Sequence, residues 1–319
     1  MDHHSAQSSA HAAAVPMKDR GQKMGYQHEF VICAYQDSPY LEECILSLRA
    51  QTLASGIRIA TSTPGKSIQD LSDRYGLPLI LHSKAIESAK GGASESTGSK
   101  DIEVGAGPAE FGKIGGIASD WNAALDASDA DYITLVHQDD RYEPDYAEKI
   151  LFALKEAAKR GETPLIAFTD YYEIRNGRRE DSNENLGIKR ILLRPLVSRQ
   201  MRHMKWAKRF AICLGNSICC PSVTYVKAQL PENPFRGEMG SNIDWQLWEE
   251  LSRQRGSFLY VPQQLMGHRI HEASTTSALI EDSRRSREDL YMLEKFWPKG
   301  MAAMIEHVYR KAQKSNQRD

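Results

Sequence analysis

Five short apolar runs separated by helical spacing constrain the first half of the chain more than any other feature. EFVICAY (29–35), IRIATS (57–62), PLILH (78–82), DYITLV (131–136) and PLIAFTDYY (164–172) read as buried strands. Between the first two, Leu41, Cys44, Ile45 and Leu48 recur every three or four residues, which makes one apolar helix face behind a Ser38-Pro39 start. A helix is expected around 67–75. Further on, Ile117, Trp121, Ala124, Leu125 and Ser128 keep helical spacing, and DYAEKILFALKEAAKR (145–160) turns Ile150, Leu151, Leu154 and Ala158 inward. Strand and helix alternating over about 170 residues imply an α/β fold, with a mostly parallel central sheet covered by helices on both faces. In such sheets ligands gather beyond the carboxyl ends of the strands. DYITLV ends there in His137-Gln138-Asp139-Asp140.

The 319 residues suit one large domain, or one domain with an appendage. Charges nearly balance, 41 Lys+Arg against 42 Asp+Glu, so a general nucleic-acid role is not indicated. Cys33, Cys44, Cys213, Cys219 and Cys220 form no CxxC pair and no disulfide framework, the pattern of reduced thiols in a cytosolic protein. No apolar run reaches the ~18 residues of a spanning helix, and the N-terminus lacks the apolar core of a signal peptide. Residues 1–27, rich in Ala, Ser, His and Gln, read as a disordered tail whose His3 and His4 would hold a metal only weakly. Residues 83–113, rich in Gly, Ser and Ala, read as a mobile inserted loop, with a closing lid as the alternative.

Four constellations carry chemistry, each with a plainer alternative. Asp139-Asp140 offers hard oxygen ligands for magnesium or manganese, or caps the turn before Pro144. Asp244 is a general base at a helix start, or the end of a Ser241-x-x-Asp244 capping box. His268, Arg269 and His271 in GHRIHEASTTS (267–277) could complete a metal shell and neutralise phosphate, or form an unengaged polar loop. Residues 187–209 hold eight Lys/Arg and no acid. They are a solvated surface segment, or a contact with an anionic membrane in which Ile191, Leu192, Leu193, Leu196, Met201, Met204 and Trp206 take part. Pro195 argues against one unbroken helix there.

The order of these pieces resembles family 2 glycosyltransferases. ICAYQDSPYLEECILSLRAQT is similar to the family's opening strand and helix, and GGIASDWNAAL to its Gly…Asn helix. YITLVHQDDRYEPDY resembles the aspartate-rich metal motif. NIDWQLWEEL resembles the segment carrying the catalytic base, and YVPQQLMGHRIHEASTT the closing Tyr-Val-Pro…Arg-x-His segment. The likeness spans about residues 28–277. It implies a GT-A fold over 28–280, with a Rossmann-like nucleotide-binding half (28–145) and an acceptor half (146–280), followed by C-terminal helices (281–319).

The resemblance further implies an inverting, metal-dependent transfer of a sugar from a nucleotide-diphosphate sugar to a hydroxyl of a sugar or lipid-linked acceptor. The family's commonest setting is cell-surface polysaccharide or glycolipid synthesis, in the cytoplasm or at the inner face of the plasma membrane. Asp244 would be the catalytic base. Asp139, Asp140 and His271 would hold Mn2+ or Mg2+. Ala34, Tyr35, Gln36, Ser62, Trp121, Asn122, His137, Asp139 and Arg269 would surround the nucleotide sugar. The sequence departs from the family at Cys33 and Gln36 in the first motif, at Thr61–Gly65, which lack the usual acids, and at Trp121, His137 and Ile243. These departures keep a second reading open, a nucleotide-sugar-binding protein without turnover. A sugar nucleotidyltransferase would need a Gly-rich basic loop after the first strand, and CAYQDSPYL has none.

Overall fold

A computed structural model describes residues 26–82, 116–271 and 283–315. Most of the N-terminal tail, the whole of the 83–113 insert, and EASTT (272–276) lie outside the described residues. In chain order the first half holds β1 (His28–Ala34), α1 (Leu41–Arg49), β2 (Gly56–Thr61), α2 (Lys66–Tyr75), β3 (Leu79–Leu81), α3 (Ile117–Asp126), β4 (Tyr132–His137), β5 (Arg141–Tyr142) and α4 (Tyr146–Lys159). The second half holds β6 (Pro164–Arg175), β7 (Arg178–Glu180), α5 (Glu184–Leu193), α6 (Lys205–Phe210), β8 (Val223–Val226), α7 (Ile243–Arg253), β9 (Ser257–Ile270), α8 (Ser283–Glu294) and α9 (Lys299–Ser315).

The strands form one sheet in the order β3-β2-β1-β4-β8-β6-β9-β5, with β7 on β6. It is parallel across β3-β2-β1-β4 and along the long β6–β9 pair, and β8 runs antiparallel between β4 and β6. Strand alternation sorts side chains to two cores, one on each face. Phe30, Ile32 and Ala34 of β1 meet α1, α2 and α4, whereas Val31 faces a second core with α3, α7, α8 and α9. Trp245 and Trp248 are fully buried in that second core.

Local differences from the sequence expectations have physical causes. Helix α1 starts at Leu41 rather than at Ser38-Pro39, and the Ser38 hydroxyl accepts the Tyr40 N–H at 3.3 Å just outside it. In α4 Ala147 and Ala157 face inward, whereas Ala158 is exposed. The largest correction is β9. SFLYVP extends into a strand of 14 residues that includes Gly267, His268, Arg269 and Ile270, where a polar loop was expected. Gly267 fits because it lies against a ring: a Cβ there would sit 2.5 Å from Tyr172 Cε2. The basic segment is broken, as Pro195 implies, into α5, a 3-10 turn over Arg194–Val197, and α6.

A chain of polar groups crosses β1, β4 and β8 inside the apolar core. The His28 ring bonds Ser55 Oγ at 2.8 Å and Thr134 Oγ1 at 2.9 Å, and Thr134 meets Thr224 at 2.7 Å. The Tyr146 hydroxyl donates to the Ser222 carbonyl at 2.9 Å. Burial pushes the His28 pKa down to about 3, so the ring stays neutral. All five cysteines are free thiols, as expected.

Candidate active site at the strand ends

Parallel pairing puts the ends of β1 and β4 side by side, with Cys33 opposite His137. The chain turns after His137, where Asp140 N–H bonds the His137 carbonyl at 3.2 Å, so Asp139 and Asp140 do close a turn. They do more than cap it. Asp140 is 1% exposed. Its Oδ1 accepts the His268 ring at 3.0 Å and the Arg269 N–H at 3.0 Å. Its Oδ2 is buried with no hydrogen-bond partner and stands 3.8 Å from His137 Nδ1. An orphaned buried carboxylate oxygen is costly unless a cation takes it. Burial alone would raise the Asp140 pKa, but His268, His137 and the Arg269 N–H outweigh it and hold the carboxyl low. Conversely, burial would lower the His268 pKa, and the charge of Asp140 reverses that and raises it.

Ligating atoms of His137, Asp139 and Asp140 lie within 4.8 Å of one another, the one such grouping among the described residues. A set of one imidazole and two carboxylates fits a divalent ion of the manganese or magnesium kind. The buried Nε2 of His137 also lacks a partner, and its ring stacks on Trp121 at 5.4 Å and 22°. His271, expected as a ligand, is hydrogen-bonded to Asp139 Oδ2 at 2.8 Å. Arg269 is 7% exposed and already engaged: Nε donates to the Asp139 carbonyl at 2.9 Å, Nη2 meets Glu43 at 2.6 Å, and the guanidinium lies 4.3 Å from the Tyr40 ring centre. It braces the acidic turn rather than standing open to a phosphate.

The other predicted residues divide. Tyr35 is exposed at the end of β1, and its main chain is clamped by both amide atoms of Gln138, at 3.2 and 2.8 Å. Ala34 is buried in the core beneath it. Gln36 has φ 56°, in the left-handed region, and its N–H donates to Thr63 Oγ1 at 2.8 Å. The Ser62 hydroxyl bonds Asp120 at 3.1 Å, and His82 lies 3.6 Å from the same carboxylate. This cluster brings an acid from α3 to the end of β2, where TSTPG supplies none. Asn122 points both amide atoms at the Phe235 main chain, at 2.7 and 3.0 Å.

Asp244 sits in the first turn of α7 and is 8% exposed. Its Oδ1 accepts the Trp245 N–H at 2.8 Å, and its Oδ2 accepts Asn216 Nδ2 at 2.6 Å. The alternative reading, a Ser241-x-x-Asp244 capping box, does not hold: Asn242 occupies the N-cap without a side-chain cap, and Ser241 bonds Glu288. Burial raises the Asp244 pKa against the opposing pull of the Trp245 N–H, Asn216, His137 and Arg285. A carboxyl so placed is tuned toward proton acceptance. Sequence reasoning missed Asn216, Asp120 and Glu288. Asn216 and Glu288 stand in no motif, and Asp120, although it lies within GGIASDWNAAL, acts like them through a partner distant along the chain.

A groove of about 640 Å³ lies elsewhere, lined by Arg190, Ile191, Arg194, Tyr260 and Pro262 among others; none of the strand-end residues contributes to it. The chemistry concentrates at the acidic turn, so the groove is not the candidate centre.

The architecture is one shared with proteins that bind nucleotide sugars. In particular, the chain superposes on TarS residues 1–349 of S. aureus in complex with UDP-GlcNAc, with a TM-score of 0.50 and 14% identity, covering 88% of this chain and 70% of that one. TarS 1–349 in a second structure gives a TM-score of 0.51 at 12% identity, over 89% and 71% of the two chains. The mannosyltransferase PcManGT of Pyrobaculum calidifontis, in complex with GDP-Man and Mn2+, gives 0.51 at 13% identity, over 90% and 69%. At these identities the likeness carries the fold alone. No protein-family model matches the chain, and no curated protein matches it in sequence.

Proposed function

We propose that the protein is an inverting glycosyltransferase of the family 2 type, acting on a nucleotide-diphosphate sugar and a hydroxyl acceptor. The observation that carries this reading is Asp140 Oδ2, a buried carboxylate oxygen without a partner beside His137 at the strand ends. Nucleotide sugars bound to proteins of this fold support it. His137, Asp139 and Asp140 would hold a manganese or magnesium ion, which when bound supplies positive charge for a diphosphate leaving group. His271 orients Asp139, and Arg269 fixes the turn from behind. Tyr35, Gln36, Ser62 and Trp121 border the nucleotide. Ala34 and Asn122 hold that border from beneath.

Asp244 takes the proton of the acceptor hydroxyl, and the oxygen attacks the anomeric carbon. The bond from that carbon to the diphosphate oxygen breaks, and the electron pair leaves with the nucleoside diphosphate. Base catalysis of this kind contributes ~10²–10⁴-fold. Donor binding without turnover is the second reading, favoured by one observation: both Asp244 oxygens are already hydrogen-bonded. Nucleoside-diphosphate release from UDP- and GDP-sugars with manganese, with and without added sugar and lipid acceptors, separates the two. Release that accelerates with one acceptor supports transfer, and metal-dependent binding with no release supports the second reading.

The acceptor is a sugar or lipid-linked hydroxyl of a cell-surface pathway, met in the cytoplasm at the inner face of the plasma membrane. Among the described residues no helix is long and apolar enough to cross a membrane. Segment 187–209 would make a peripheral contact with anionic lipid. Ile188, Ile191, Val197, Met204 and Trp206 are exposed there beside the exposed Arg194, Arg199 and Lys205.

A further inference from the structure

Helix α8 lies outside the segments that resemble sugar transferases, yet it grips the loop that leads into Asp244. Glu288 is fully buried. Its carboxylate accepts the Gly240 N–H at 2.8 Å, the Ser241 N–H at 2.8 Å and the Ser241 hydroxyl at 2.6 Å. Asp289, 2% exposed, accepts Asn242 Nδ2 at 2.7 Å. Two consecutive carboxylates are thus buried against three consecutive residues, and the last of these is the N-cap of α7.

Burying two acids is expensive, and an apolar helix face would close the core at lower cost. The arrangement does what apolar packing does not: it fixes main-chain N–H groups by charge-assisted hydrogen bonds, which are short and directional. It also replaces local capping. Asn at an N-cap ordinarily bonds an N–H of its own helix, but the Asn242 side chain is turned to Asp289 instead. The entry of α7 is therefore set from α8. Asp244 lies two residues beyond Asn242, and its Oδ2 must meet Asn216 at 2.6 Å. A small rotation of that first turn would move the carboxylate out of register.

We propose that Glu288, assisted by Asp289, is the positioning residue for Asp244, holding the 240–242 loop so that the base faces the crevice. Its catalytic meaning rests on the reading of Asp244 as the base, whereas the clamp itself does not. The test compares the full chain with Glu288→Gln, Glu288→Ala and the same-helix control Arg287→Ala, whose native side chain is exposed. Hydrogen–deuterium exchange at 240–245 rises at least about tenfold in both Glu288 variants, the scale of one lost charge-assisted hydrogen bond. Exchange in β1 and β4 stays parental, and Arg287→Ala changes neither. The Asp244 carboxyl, followed by carbon NMR, titrates at lower pH once the loosened turn admits water. Donor release, measured as UDP or GDP from the corresponding sugar nucleotide with manganese, falls at least about tenfold in kcat, with donor KM within about twofold.

Parental exchange at 240–245 in Glu288→Ala would overturn the clamp. A loosened loop with an unmoved Asp244 titration, or with parental kcat, would overturn the positioning role. If the parent releases no nucleotide from any donor, the transferase reading fails, and exchange and titration still decide the clamp. If Glu288→Ala does not fold, Glu288→Gln carries the comparison, because it keeps the volume and reverses one acceptor to a donor.

Discussion

Replacing Asp244 by Asn should separate folding from chemistry unusually cleanly. The amide keeps an oxygen for the Trp245 N–H now 2.8 Å from Oδ1. Its new NH2 would face Asn216 Nδ2, which today donates to Oδ2 at 2.6 Å. That conflict has a local remedy, since Asn216 Oδ1 is buried without a partner and a flip of its amide presents that acceptor. The charge argument points the same way. Burial raises the Asp244 pKa above its unfolded value, so its contribution to stability is present below the unfolded pKa and lost as pH rises through the folded one. At pH 7 the ionised carboxylate costs stability, and the neutral amide removes that cost. Asp244→Asn is therefore expected to unfold in urea at the parental concentration or above. Turnover behaves oppositely: loss of a general base removes ~10²–10⁴-fold from kcat, about 3–5 kcal/mol of transition-state stabilisation. Calorimetry checks that UDP or GDP binding with manganese persists, and nucleotide release with acceptor gives kcat. Parental kcat in this variant would refute the base assignment. Loss of folding would refute the local repair by Asn216.

Three further outcomes follow from other contacts. His28, with a pKa of about 3 folded against ~6.5 unfolded, contributes stability that is present above pH 6.5 and lost as pH falls toward 3. Moving from pH 7.5 to pH 5 should cost the parent about 2 kcal/mol more than His28→Gln in urea unfolding, and equal pH dependence would sink the assignment. Arg269→Lys cannot keep both the Asp139 carbonyl and Glu43. With Glu43 46% exposed the ion pair is screened, so a loss of about 1–2 kcal/mol is expected, together with weaker manganese-dependent nucleotide binding; unchanged calorimetry would remove Arg269 as the brace. Vesicles containing phosphatidylglycerol should sediment the parent, and Trp206→Ala combined with Arg194→Gln, Arg199→Gln and Lys205→Gln should reduce this at least about tenfold, with equal binding ending the membrane reading.

The sheet was legible because buried strands read as apolar runs, which β1, β4 and the first half of β6 do; β2 is interrupted only by Arg58. β9 was half hidden. Its carboxyl end carries His268 and Arg269, which are polar because they serve the acidic turn, and their partners Asp140 and Glu43 lie more than a hundred residues away. The same distance hid the clamp on α7. Ser241-x-x-Asp244 has the spacing of a local cap, but the carboxylate that Ser241 meets belongs to Glu288, 47 residues further on. Asp139-Asp140 could be read as either turn or site because it is both, and no local pattern expresses the orphaned Oδ2 that favours a cation. His137 is the clearest gain from the structure. Its ring lies with Asp139 and Asp140 in the group that could hold a metal, and His271 is hydrogen-bonded to Asp139 beside it.

The most direct test of the central claim is a calorimetric titration of UDP and GDP into the parent and into Asp140→Asn, each with and without manganese. Binding of one nucleotide that strengthens at least about tenfold with manganese in the parent, and loses that dependence in a folded Asp140→Asn, is the predicted result. Parental affinity that ignores manganese, or an Asp140→Asn variant that keeps the full metal effect, would contradict it.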